Sequence, residues 1–154
     1  MITETTSVKK YICFSLGHEK YAMPLLTVKE VIRVPEITSV PQTAPHFLGI
    51  MNLRGQVISI MDLRKKLNLK ESESPETTVM ILNFGKNLLG VVVDSVNYVV
   101  TLLDSEISEK PVVSSIHNTD YLTGVYRKDN ELILILDIAK ALSVEELKQM
   151  GMAA

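Results

Sequence analysis

A duplication constrains this chain more than any other feature of its sequence. Displaced by 75 positions, GIMNLRGQVISIMDLRKKL (Gly49 to Leu67) falls on GVYRKDNELILILDIAKAL (Gly124 to Leu142) without a gap. Gly49 meets Gly124, Ile58 meets Ile133, Ile60 meets Ile135 and Asp62 meets Asp137. A second match, displaced by 68, sets Gly17 on Gly85, Ala22 on Gly90, Val28 on Val96 and Val31 on Val99. Both matches run in the same order, so the architecture is doubled. The repeated segments are short, rich in Val and Ile, and bounded by Gly, Asn and Asp, which reads as strands and tight turns. At 154 residues there is room for one domain or for two half-domains sharing a core.

Each half resolves into about five short strands. YICFSLG (Tyr11–Gly17) ends at a glycine turn and HEKYAMP resumes as a strand. LTVKEVIRV (Leu26–Val34) alternates imperfectly, as expected of a strand covered in part on both faces. PEITSVPQTAP carries Pro35, Pro41 and Pro45 and reads as an extended loop. GIMNL and QVISIMDL form a hairpin through Arg54-Gly55, where Gly55 supplies the positive φ of a tight turn. The counterpart turn, Asp129-Asn130, uses the non-glycine types that best tolerate that conformation. Asp62 and Asp137 each stand where a side chain can cap a short helix. KESESPETT (Lys70–Thr78) reads as a connection, and Ser143 with Glu146 as a capping box opening a terminal helix. The expected organisation is a tail at 1–10, a first barrel half at 11–70, a linker at 71–78, a second half at 79–142 and a C-terminal helix and tail at 143–154. Two small, curved antiparallel β units follow, packed together because neither buries much alone.

The residues offer little covalent chemistry. His18, His46 and His117 are isolated, with no ligand at metal spacing, so no metal or cofactor is expected. Cys13 lies within an apolar strand and reads as a buried, inert thiol in a reducing compartment. There is no phosphate loop, dinucleotide fingerprint or nucleophile elbow. Capping accounts for Asp62 and Asp137 without acid–base work. A net charge of −2 and dispersed lysines give no pull toward nucleic acid. No secretory h-region opens the chain, and its apolar runs reach only about half a membrane span, so no direct membrane insertion and a cytoplasmic location are expected. What remains is surface: strand edges and grooves on which other proteins dock.

Several segments carry a family likeness. NLRGQVISIMDLR (Asn52–Arg64) resembles the signature of CheW-like domains, an N-L-R-G turn, an apolar strand and a D-L-R helix start. FSLGHEKYAMPLLTVKEVI (Phe14–Ile32), LLGVVVDSV (Leu88–Val96) and DYLTG (Asp120–Gly124) resemble other family segments in the same order. The resemblance implies a mainly all-β fold of two packed five-stranded SH3-like β-barrels with short helices. It implies a non-enzymatic adaptor that couples the cytoplasmic tips of transmembrane chemoreceptors to the regulatory domain of a CheA-type histidine kinase, recruited to membrane-associated arrays. It implies partner contacts at Asn52, Arg54 and Gly55 of the N-L-R-G turn, at Val28 and Glu30 of the V-x-E strand, and at Val31, Ile32 and Val99 in a groove between the barrels. Ser59 stands where the family often has proline and restores a backbone N–H, which should make that edge more regular. An adaptor of a twitching or gene-regulatory array, and more distantly a small nucleic-acid-binding barrel, remain as alternatives.

Overall fold

A computed structural model describes residues 8–69, 75–109 and 121–142. The terminal helix expected at 143–154 and the first half of the linker expected at 71–78 lie outside them. The strands are β1 (Val8–Leu16), β2 (Glu19–Pro24), β3 (Val28–Arg33), β4 (Phe47–Leu53), β5 (Gln56–Asp62), β6 (Thr78–Phe84), β7 (Asn87–Val93), β8 (Ser95–Leu103), β9 (Ile107–Ser108), β10 (Leu122–Lys128) and β11 (Glu131–Leu136). Two one-turn helices, α1 (Leu63–Lys66) and α2 (Ile138–Ala141), follow β5 and β11.

The strands form two sheets, ordered β3-β6-β7-β5-β4 and β8-β1-β2-β11-β10-β9. The short β9 makes the second sheet six-stranded. Under the two displacements, β3, β4 and β5 correspond to β8, β10 and β11, and the β1–β2 hairpin corresponds to β6–β7. Each sheet therefore takes its central hairpin from one repeat and its remaining strands from the other. Strand exchange between the repeats, left open by the sequence, is how the sheets are built.

Register follows the same rule. Ile60 pairs with Gly90 in the parallel β5–β7 ladder, and Ile135 pairs with Ala22 in the parallel β11–β2 ladder. The bulges match too: β3 passes Lys29 without a partner on β6, and β8 passes Asn97 without a partner on β1. Such bulges sharpen twist, which curls short strands toward closure. Ser59 pairs with Ile50 on one side and Leu89 on the other, so β5 is an interior strand and not the edge expected for it.

Exchange places the two hairpins back to back, and this explains their unbroken apolar runs. Tyr11 and Cys13 face into one barrel, with Ala22, Leu102, Ile133 and Ile135. Their neighbours Ile12, Phe14 and Leu16 face the opposite way, into a shared core with Met61, Met80, Leu82, Leu89 and Val91. Val79, Ile81, Ile58 and Ile60 fill the other barrel. Phe14 stacks on Tyr21 with ring centroids 6.1 Å apart. Each fully buried Leu, Ile or Phe stabilises the assembly by about 1.5–3 kcal/mol relative to exposure.

Candidate functional site

Two of the residues singled out from the sequence meet at one end of the first sheet. Arg54, at the tip of the β4–β5 turn, places both terminal nitrogens on Glu30 of β3, at 2.8 and 3.0 Å. This is a fork-on-carboxylate pair in the open: the Arg54 side chain is 68% exposed and that of Glu30 26%. Hydrogen bonds from Arg54 hold the Glu30 carboxyl below the usual carboxylate range. The turn beneath is well determined. Gly55 has φ 88° and Arg54 itself φ 52°, and the Asn52 side-chain oxygen accepts from the Gly55 N–H at 2.8 Å. Asn52 thus acts as the turn's internal brace. A left-handed backbone is uphill for arginine, and Asp129 adopts the same conformation (φ 53°) at the counterpart turn. Turn geometry alone does not call for arginine here.

The other expected residues distribute by strand alternation. On β3, Val28, Glu30 and Ile32 are half-buried, while Lys29, Val31 and Arg33 are exposed. Val28 packs against the shared core and Ile32 against the first barrel's interior. Val31 and Val99 are apolar yet 41% and 51% exposed. They occupy equivalent places on β3 and β8, the edge strands that begin each sheet. Leu26 and Thr27, expected within the strand, instead form a one-turn 3-10 segment before it.

At the matching end of the second sheet the chemistry differs. Tyr98 stands where Glu30 does, and Lys128 lies over its ring at 4.1 Å from the centroid. Lys20 pairs with Glu131 at 2.9 Å. Val57 and Leu132, again equivalent, are both exposed beside their turns. The two barrel ends share a shape and present different charges.

A buried polar cluster escaped the sequence reading. Arg64, on α1, donates through Nε and a terminal nitrogen to Asp62, each at 3.0 Å, and through its other terminal nitrogen to Asp94 at 2.6 Å. All three residues are under a tenth exposed. The hydrogen bonds to Asp62 push the Arg64 pKa above the usual arginine value. Asp62 also caps α1, accepting from the Arg64 N–H at 3.0 Å. Asp94 accepts from the Gly17 N–H of the β1–β2 turn. The cluster ties the end of β5, the β7–β8 crossing and that turn together. Capping holds for Asp62 but not for Asp137, whose side chain makes no capping bond. Its position is the same, but Ala139 stands where Arg64 would fix the carboxylate.

His18 is exposed at the β1–β2 turn, and burial of Cys13 pushes its thiol pKa up. Among the described residues no group of three or more His, Cys, Asp or Glu is placed to hold a metal ion, and no helix is long and apolar enough to cross a membrane.

Comparison with known proteins places this geometry. A profile of the CheW-like domain matches residues 10–146. The chain is 35% identical to the chemotaxis protein CheW of Klebsiella aerogenes over 140 residues, covering 90% of this chain and 84% of that one. It is 32% identical to the chemotaxis protein CheW of Bacillus subtilis, with 94% of each covered. The crystal structure of the scaffolding protein TtCheW from Thermoanaerobacter tengcongensis superposes with a TM-score of 0.77 at 30% identity, covering 85% of this chain and 90% of that one.

Proposed function

We infer, from the premise that this chain belongs to the CheW-like family of chemotaxis adaptors, that it couples chemoreceptor tips to a CheA-type histidine kinase. It does so by holding both in fixed geometry, without covalent chemistry. The Glu30–Arg54 fork carries this reading. An exposed ion pair is screened by water and contributes little to stability, and the backbone of Arg54 works against even that. A pair with so little structural return is better suited to recognition, because a guanidinium fork can share or exchange its carboxylate with a partner's. Val31 and Val99 add exposed apolar contact on the two edge strands, and Val28 and Ile32 set the depth of the β3 face. Asn52 and Gly55 hold the arginine at the turn tip.

A helical receptor hairpin is a partner of the right character, since apolar floors with charged rims fit amphipathic helices. Signal then passes as a difference in contact free energy between receptor states, read by the attached kinase as a change in preferred arrangement. The test is reconstitution of receptor tips and kinase, with phosphorylation measured with and without the chain. Receptor-dependent activation should require it. Activation that is equal in its absence sinks the reading.

A further inference from the structure

Among the described residues the doubled architecture leaves one seat filled and its twin open. In the filled seat Arg64 lies between Asp62 and Asp94. Under the repeat, Asp62 corresponds to Asp137, Arg64 to Ala139 and Asp94 to Leu26. Around the second set the structure has a cleft of about 380 Å³, within the size range of small-ligand sites. Its lining includes Asp137, Ala139 and Thr27, with Met23, Phe84 and Ile138 as apolar wall. Asp137 is half-buried, and its carboxylate makes no hydrogen bond or ion pair among the described residues. Leu26, next to the lining residue Thr27, is 94% exposed.

We propose that this cleft is a docking site for an arginine side chain of a partner protein, its guanidinium on Asp137 and its neighbouring apolar residue against Leu26. The site goes beyond the coupling role inferred above and uses none of the residues assigned to it. Three observations support the occupant. The same carboxylate position in the other repeat already receives a guanidinium by two parallel hydrogen bonds, each at 3.0 Å. Alanine at position 139 leaves the volume that the Arg64 side chain takes in the twin. An apolar wall suits the arginine stem, which buries its methylenes while the charged head pairs. The chain cannot supply the group from outside the described residues, because its four arginines, Arg33, Arg54, Arg64 and Arg127, all lie within them. Lys9 and Tyr11 are the other titratable residues of the lining, and Lys9 is exposed.

The test uses acetyl-arginine amide as probe, with acetyl-citrulline amide as its neutral isostere, followed by amide chemical shifts of the full chain. The arginine probe should shift Thr27, Phe84, Ile138 and Ala139 saturably, and the citrulline probe should bind about tenfold more weakly, the loss of one charge-assisted pair. Asp137→Asn should weaken the arginine probe to the same degree. Ala139→Arg should abolish its binding by filling the seat from within. Equal binding of the two probes, or a folded D137N or A139R chain that binds as the parent does, overturns the proposal.

Discussion

Replacing Arg64 by methionine would remove the cation from between two buried carboxylates while keeping most of its volume. Asp62 and Asp94 are 3% and 4% exposed, so water cannot take over from the guanidinium. Asp62 loses two bonds at 3.0 Å and Asp94 one at 2.6 Å. Breaking a buried pair from one side costs about 3–5 kcal/mol, because the remaining charge stays uncompensated. For a chain of this size that corresponds to a loss in Tm of about 6–20 °C. Against a total stability of about 5–15 kcal/mol, that loss is between about a fifth and the whole. Urea unfolding followed by far-ultraviolet circular dichroism measures the difference directly. Adding Asp62→Asn and Asp94→Asn should recover more than half of it, because the amides keep an acceptor for the Arg64-position N–H and the Gly17 N–H without a buried charge. A loss below about 1 kcal/mol for R64M, in the range of an exposed pair, would show that the guanidinium serves only as packing. Failure of the two asparagines to restore stability would refute the charge argument even if the loss is large.

Arg54→Asp should leave Tm within about 4 °C, as an exposed pair warrants, and should weaken receptor-dependent kinase activation; the exchanged pair Glu30→Arg with Arg54→Glu should regain part of it, and unchanged activation in R54D would reduce Arg54 to a turn residue. Gly49→Ala should lower stability by about 2–4 kcal/mol, because at φ +143° a Cβ would lie 2.0 Å from the Thr38 carbonyl oxygen; a urea midpoint equal to the parent's contradicts this. Cys13, wholly buried with its thiol pKa raised by burial, should resist iodoacetamide in the native protein at neutral pH and react fully in urea; rapid native alkylation would show that the barrel opens.

The sequence made the strands and their doubling legible because both are local: the period of the apolar residues, the turn chemistry and the glycines each sit within a few positions. Which hairpin enters which sheet was not legible. Ile12, Cys13 and Phe14 announce burial on both faces, yet nothing in an apolar run names the strands that cover it. Glu30 and Arg54 were each singled out, but their pairing joins positions 24 apart across a turn and two strands. Arg64 entered the sequence reading only as the last residue of the D-L-R helix start, with no role of its own. The signal that set it apart was available in the repeat itself, where its twin is alanine while Asp62 keeps an aspartate twin. The same contrast explains Asp137, a capping residue by type and place whose side chain has no neighbour to hold it.

The interleaving of the repeats also orders events during synthesis on the ribosome. Residues 28 to 93 supply all five strands of the β3-β6-β7-β5-β4 sheet as one continuous stretch, so that sheet can assemble as soon as β7 has emerged. The β1–β2 hairpin, made before the strands it pairs with, has no partner until β8 and then β11 arrive, and its parallel ladder with β11, from Lys20–Ile133 to Ala22–Ile135, spans the longest separations among the described strands. Through that interval its greasy faces are covered on one side only, by the barrel already formed beneath them. The β1–β2 hairpin is thus the element that waits longest for its place, and the window in which a chaperone could be needed closes only when β11 leaves the exit tunnel.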